Sequence, residues 1–495
     1  MRNLTTKNKL LLVVLFFSTI LSLLVLVEYN GNKILYLTFS FISFYFLIFQ
    51  LRKNSIFFDN FMGIFFWIGF WVNFSLKTKL KNIFPDGIGD LKYWFSDGVG
   101  NFNFSSDAND KVLVICIVAY FAIILSSYIR EFFFIYKKNN SLEVDIYFYK
   151  DHKVKIISIF FIVLFFFTFI NFNFEIYQRG LISDHSRIVN LFFTFILTIF
   201  LPCVVCMILN YEYRTNKSLK FSIFLSIIES FLNSTSVLSR NFIFNPFSQL
   251  IGIIKLNSFF IKFKENIFFI FFILMGLFFM LTIIVTSNLR NEVIKIKILK
   301  DDKFDNNSIL VSDYRSKNFK NKNINGIATV LISRLIGIEG IMAVSSSEQL
   351  SFQLLSDAFK EKFTINKNSF YNSFKKENRV LSPCPELNEK CKNKKINSIS
   401  LMGIVAFLFY SGSYIFLFTT LIIICLFCSV IEIIAYKVSH NLILCSLISQ
   451  LLAYRLWHFG YLPSNSYKLI LAIFTILLII FLYRLTLKKF YKTLK

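Results

Sequence analysis

The chain has 495 residues, of which 55% are hydrophobic, and its formal net charge at pH 7 is +25. Several apolar runs approach the roughly 20 residues that an α-helix needs to cross a bilayer, so we expect a polytopic membrane protein. The positive charge does not indicate a nucleic-acid partner, because no basic region is paired with a soluble fold that could present it to a groove.

Twelve apolar stretches predict membrane-spanning helices, and in chain order they cover residues 10–27, 34–50, 56–74, 112–129, 154–172, 188–209, 219–238, 241–256, 267–287, 414–436, 440–457 and 467–485. The first is too long for the apolar region of a signal peptide and lacks a small-residue cleavage site, so we expect it to be retained as a span. Short loops rich in Lys and Arg recur on one side, which places both termini in the cytoplasm.

Two further apolar segments, 324–347 and 399–412, are not among these twelve. If one of them alone crossed the membrane, the Lys-rich C-terminus would face outward, so we expect both to dock on the outer surface as interfacial or re-entrant segments. Two additional crossings would also satisfy the charge pattern, and this alternative stays open. The chain is therefore divided into 1–287, with about nine spans and an outer loop at 75–110; 288–413, a large, partly helical outer loop; and 414–495, with three spans.

The outer loops contain two local features. Tyr93, Trp94 and Asp97 lie among turn glycines in "DGIGDLKYWFSDGVG", a mixture that suits a sugar, although an ordered loop without a ligand is an equally good interpretation. In "CPELNEKC", Cys384 and Cys391 would close a short disulfide-bonded ring if that side of the membrane is oxidising.

The seventh predicted span carries the strongest indication of a site. Glu229, Asn233, Ser236 and Arg240 are spaced by four, three and four residues, so a helix places them on one polar stripe. Ionisable groups at membrane depth usually face a bundle interior or a water-filled cavity. We therefore expect a cavity open to the outside, with a structural pair between Glu229 and a cation as the alternative.

Arginines gather on the same predicted side. Arg455 and His458, three residues apart near the outer end of a span, share a helix face, and Arg179, Arg290 and Arg334 lie in outer segments. Guanidinium groups bind phosphate oxygens in a bidentate manner, so an anionic ligand such as a diphosphate is expected. The sequence contains no phosphate-binding loop and no cluster of metal ligands, so we expect neither a cofactor nor a metal.

The chain resembles the bacterial O-antigen polymerases, the Wzy-type proteins that join repeat units of surface polysaccharides. The likeness rests on the plan of spans and loops, and locally on "SRNFIF" (239–244), "SRLIGIEGIMAVSSS" (333–347) and "LILCSLISQLLAYRLWHFGY" (442–461). It implies a GT-C-like fold in the bacterial inner membrane. It also implies polymerisation of undecaprenyl-pyrophosphate-linked oligosaccharides into O-antigen or capsular polysaccharide on the periplasmic face, with a chain-length regulator as a partner.

On this resemblance, Arg240, Arg334 and Arg455 bind the diphosphate, with Arg179 and Arg290 nearby, and either Glu339 or His458 is the general base for the acceptor hydroxyl. An O-antigen ligase would share the donor and the loops, and sequence alone separates it poorly from a polymerase. A flippase would be expected to show internal repeats and short loops, which the chain lacks. A membrane-bound acyltransferase would need a His at membrane depth, whereas His440 and His458 both lie at the ends of spans.

Overall fold

The computed structural model describes residues 6–52, 55–83, 102–134, 143–178, 185–216, 219–239, 243–260, 273–286, 288–289, 337–347, 349–360, 402–459 and 463–493. Within these ranges every regular element is a helix, as the sequence predicts. Seven of the described helices are long and apolar enough to cross a membrane: Lys33–Gln50, Phe57–Lys79, Ser106–Phe133, Ile146–Phe174, Arg187–Thr215, Tyr414–Ser439 and Ser466–Leu487. The prediction of a helical membrane protein is thus confirmed.

Helices in the first half of the chain are α1 (Thr6–Glu28), α2 (Lys33–Gln50), α3 (Phe57–Phe66), α4 (Asn73–Ile83), α5 (Ser106–Phe133), α6 (Glu143–Phe174), α7 (Arg187–Phe195), α8 (Leu201–Asn216), α9 (Leu219–Ser236) and α10 (Phe244–Phe260). The helices α3 and α4 are joined by a π-helical segment, π1 (Trp67–Val72), and α7 and α8 by a second one, π2 (Ile196–Phe200). Each joined set reads as one long helix with a widened turn inside it.

The second half contains α11 (Ile273–Thr286), α12 (Ile338–Ser345), α13 (Phe352–Lys360), α14 (Gly403–Leu408), α15 (Tyr414–Ser439), α16 (Leu442–Trp457) and α17 (Pro463–Thr493). Each of the twelve predicted stretches overlaps a described helix. Both ends of the predicted loop at 75–110 are helical, because α4 continues to Ile83 and α5 already begins at Ser106.

Contacts between helix termini define two ends of the bundle. At the first, which we call the site end, Asp110 near the start of α5 accepts hydrogen bonds from the Tyr29 hydroxyl (2.8 Å) and from the Asn32 backbone between α1 and α2 (3.0 and 3.1 Å). Burial and this contact with Asp110 raise the pKa of Tyr29. Also at the site end, the Asn171 side chain of α6 donates to the backbone oxygen of Ser236 at the end of α9 (2.9 Å).

The opposite end is held by buried carboxyl groups. Asp59 in the first turn of α3 pairs with Arg130 near the end of α5. Glu432 of α15 accepts hydrogen bonds from the Phe57 and Phe58 backbone N–H groups (3.0 and 2.8 Å), which lie in the first turn of a helix and have no acceptor within it. Negative charge is also favourable at this position because of the helix dipole. These contacts fix α3 between α5 and α15.

Phe57–Lys79 is the most buried of the seven candidate spans, with 72% of the residues in its apolar 18-residue window buried. The corresponding share for Ile146–Phe174 is 22%. The α3–π1–α4 unit therefore lies inside the bundle, and α6 has a wide apolar face of exposed Phe and Ile side chains suited to lipid. The tryptophans of π1 differ from an aromatic belt at the headgroups: the Trp71 side chain is 1% exposed, and its Nε1 donates to Ser40 Oγ (3.0 Å).

The short helices α12 and α14 are almost completely buried at the site end. With eight and six residues they are too short to span a bilayer, which takes about 20. Gly340 of α12 packs so closely on the Met402 backbone that a Cβ atom there would lie 2.2 Å from the Met402 oxygen. The described parts of the two surplus segments, 337–347 and 402–412, are thus short helices and turns packed against the bundle.

Candidate functional site

The helix α9 places polar side chains at the site end. Leu238 adopts a positive φ of 51°, and the Ser239 backbone N–H donates to the Ser234 oxygen (2.8 Å), so the helix ends at Ser236, the third of the four predicted stripe residues. Of the predicted stripe, Asn233 lines a cavity together with Ser230 and Ser234. Ser236 turns away from it, because its hydroxyl accepts a hydrogen bond from the Asn171 side chain (2.9 Å).

The C-terminal end of α16 forms the facing wall. The predicted pair Arg455 and His458 lies together on the cavity surface, next to Tyr454. The His458 ring stacks on Tyr454, with centroids 4.2 Å apart, and meets Trp457 edge-on at the same distance. These contacts leave the imidazole 6% exposed and fix its orientation.

Two further contacts hold this wall in place. The Phe459 oxygen accepts a hydrogen bond from the Gly403 backbone N–H (2.9 Å), which ties the end of α16 to α14. Arg455 Nε donates to Ser466 Oγ near the start of α17 (3.0 Å). Two neighbouring elements therefore position the imidazole and the guanidinium.

The cavity between these elements has a volume of about 230 Å³. Most of the side chains around it form hydrogen bonds without carrying charge, and aromatic rings and Arg455 complete the wall; the polar and aromatic members are Tyr177, Thr198, Ser230, Asn233, Ser234, Ser239, Phe244, Asn245, Gln450, Tyr454, Arg455 and His458. Neutral donors and acceptors suit hydroxyl groups, whereas a guanidinium suits phosphate or carboxylate oxygens. The site can hold a polar ligand that carries a negative charge at one side.

Several residues of this lining were not predicted from the sequence. Gln450, Tyr454 and His458 are spaced by four residues, so they form a stripe on α16 like that on α9, and this spacing was visible in the sequence. Thr198 and Ile199 come from π2, whose widened turn no sequence pattern indicated. π-helical segments are often found at functional sites.

Glu229 lies one residue before the cavity-lining Ser230 and is completely buried. Its carboxyl oxygens accept hydrogen bonds from Asn233 Nδ2 (3.1 Å) and Ser230 Oγ (3.2 Å). The same Asn233 amide also donates to the Leu197 oxygen in π2. The described part of the chain provides no ion pair for Glu229, so the predicted alternative of a structural cation pair finds no partner there.

Glu339 occupies a different position. It lies in the first turn of α12, outside the lining of the cavity, and its carboxylate accepts from Asn73 Nδ2 (2.9 and 3.0 Å). Lys77 Nζ is 3.1 Å from the same carboxylate, with side chains exposed by 1% for the lysine and 15% for the glutamate. Glu339 thus joins α12 to α4, and its partners could not be identified from the sequence.

The remaining predicted site residues lie outside the described residues: Tyr93, Trp94, Asp97, Arg179, Arg240, Arg290, Arg334, Cys384 and Cys391. Ser239, which precedes Arg240, lines the cavity. In the part of the chain that the structure describes, no group of three or more His, Cys, Asp or Glu side chains is arranged to hold a metal ion.

Comparisons with known proteins identified no relative of the chain. No protein-family model matches the chain, and no curated protein or solved structure is significantly similar to it.

Proposed function

We propose that the chain is a polysaccharide polymerase of the glycosyltransferase type that uses a lipid-pyrophosphate-linked oligosaccharide as donor. The supporting observation is the cavity at the site end, where Arg455 and His458 face the neutral polar side chains of α9. A donor of this kind needs both features, because its sugars carry hydroxyl groups and its diphosphate is anionic. The lipid anchor of such a donor would bring it to a cavity in a membrane protein.

The proposed topology has twelve spans with both termini in the cytoplasm of a bacterial inner membrane. Seven helices are long and apolar enough to cross a membrane, and the other five proposed spans are α1, α9, α10, α11 and α16. The polar faces of α9 and α16 line the cavity, and ionisable or polar groups at membrane depth usually face such a cavity. The helix α16 is apolar but has only 16 residues. The site end then faces the periplasm, where lipid-linked donors replace nucleotide sugars.

In the proposed reaction, an acceptor hydroxyl oxygen attacks the anomeric carbon of the donor, and its proton passes to the His458 imidazole. The bond between that carbon and the diphosphate oxygen breaks, and the lipid diphosphate leaves with the electron pair. Arg455 stabilises the charge that develops on the leaving group. His458 is preferred to Glu339 as the base because it lines the cavity, whereas Glu339 is held by Lys77 and Asn73.

The function is tested by deleting the gene and separating the surface glycan by size on a gel. A polymerase predicts glycan with a single repeat unit in place of a ladder. Complete loss of attached glycan would instead favour a ligase or a flippase and would contradict the proposal.

The site is tested in the same strain by complementation. Arg455→Ala and His458→Ala should abolish the ladder in protein that still inserts into the membrane at normal levels. Arg214→Ala is the matched control, because this arginine lies in the last turn of α8, away from the cavity, and bonds to Asn210 (3.1 Å). Near-normal ladders for both cavity variants would refute the assignment.

A further inference from the structure

The described chain contains four fully or almost fully buried carboxyl side chains, and three of them have strong partners. Asp59 pairs with Arg130, Glu212 pairs with Lys153, and Glu432 accepts from two backbone N–H groups and from Ser449. Glu229 differs from these: among the described residues, only the neutral side chains of Asn233 and Ser230 donate to its carboxyl, which has neither a cation nor a helix N-terminus as partner.

The surroundings of Glu229 do not supply a compensating charge either. The helix α8 faces it with the thiols of Cys203 and Cys206, and π2 presents the Leu197 oxygen, while α6 and α10 present the neutral Asn171 and Gln249 to the same helix. The charged or titratable groups that line the cavity are Arg455, His458, Tyr454 and Tyr177. No cationic nitrogen of a described residue lies within 4 Å of the Glu229 carboxyl.

An ionised carboxylate without a cation in such a place would be very unfavourable, because burial removes its hydration and neutral donors replace only part of it. A protonated carboxyl avoids this cost. It also gains a donor, since its O–H can bond to Ser230 Oγ, which lies 3.2 Å from Oε2. A metal cation fits poorly, because the Asn233 amide nitrogen occupies the position between Oε1 and the Leu197 oxygen.

We propose that Glu229 is a proton-binding site beside the cavity and that its bound proton keeps a negative charge away from the wall where Arg455 would bind an anionic ligand. Neighbouring Ser230 and Asn233 line the cavity, so a proton leaving the carboxyl has a polar route outward. Loss of the proton would add a negative charge beside the cavity and weaken the binding of an anion. The proton site does not depend on the proposed polymerase activity, whereas its effect on a diphosphate does.

The proton is detected by infrared spectroscopy of the purified full-length protein in lipid nanodiscs at neutral pH. The carbonyl stretch of a protonated carboxylic acid should be lost in Glu229→Gln, which keeps the shape and the neutral state of the side chain. Glu131→Gln is the matched control, because Glu131 forms an ion pair with Arg52 (2.7 Å) and should contribute no such band. In the wild-type protein the band should shift in D₂O and disappear as the pH is raised.

Retention of the full band in Glu229→Gln, or no protonated-acid band at all in the wild-type protein, would overturn the proposal. A band that responds to sodium at constant pH would overturn it as well, since it would indicate a cation site. The effect on anion binding is measured with inorganic pyrophosphate. Its affinity for the wild-type protein should fall over the pH range in which the band disappears, whereas its affinity for Glu229→Gln should stay constant over that range. Pyrophosphate that does not bind at any pH would contradict the proposed function, while the infrared band would still establish the proton site.

Discussion

Replacing Gly340 with Ala tests whether α12 is docked on the bundle as closely as the structure indicates. A Cβ atom at this position would lie 2.2 Å from the Met402 oxygen and 2.6 Å from the Met402 Cα. Ordinary van der Waals contact begins at 3.4 Å, so the two segments must separate by about 1.2 Å, the difference between 3.4 and 2.2 Å. Both opposing atoms belong to the backbone, and no side-chain rotation can relieve the contact.

Overpacking of this kind typically costs about 1–3 kcal/mol, which exceeds the gain of roughly 0.5–1 kcal/mol that Ala brings to a helix relative to Gly. We therefore expect Gly340→Ala to lower the free energy of unfolding by about 1–2 kcal/mol. The measurement is equilibrium unfolding in mixed micelles, followed by tryptophan fluorescence and circular dichroism.

Gly276→Ala in α11 is the matched control, because nothing lies within 4 Å of the Cβ atom that it would add. This variant should unfold like the wild-type protein or be more stable by up to about 1 kcal/mol. If Gly340→Ala were as stable as Gly276→Ala, the close backbone contact between α12 and the start of α14 would be refuted.

Two further predictions concern the polar contacts of the site end. Glu339→Gln removes the carboxylate beside the almost completely buried Lys77 ammonium and should lower the free energy of unfolding by about 3 kcal/mol. Adding Lys77→Met should restore part of the lost stability, with a coupling energy of about 1–3 kcal/mol in a double-mutant cycle. A coupling energy near zero would exclude a stabilising ion pair. Ser466→Ala removes the acceptor that orients Arg455 and should weaken pyrophosphate binding about fivefold, equivalent to roughly 1 kcal/mol, without changing the unfolding midpoint. Unchanged affinity would show that Ser466 has no orienting role.

The sequence predicted the positions of the helices well, because apolar runs bounded by Lys, Asn and Gly are a local signal. It also predicted that Arg455 and His458 lie together and that Asn233 faces a cavity, since both follow from helical spacing. The contacts of Glu339, which lies outside the cavity, join residues that are widely separated along the chain. Glu339 and Asn73 are 266 residues apart, and no periodicity in either segment could identify the other as its partner.

The two π segments were missed for a related reason. A π-helical turn has the composition of the α-helix around it, and only the packing on both sides determines where the extra residue is accommodated. Composition also could not show that π1, with the buried Trp71, lies inside the bundle.

The segment π2 also makes the shape of the cavity depend on chain length. A π-helical turn corresponds to one residue inserted into an α-helix, so deletion of a single residue between Ile196 and Phe200 would allow α7 and α8 to join as a continuous α-helix. One residue corresponds to a rotation of about 100° around the helix axis, because an α-helix has 3.6 residues per turn. The side chains before the deletion would then present a different face to α9 and α16, and Thr198 would no longer line the cavity. Inserting or deleting a single residue in π2, and not substitution alone, would therefore change which side chains line this wall of the cavity.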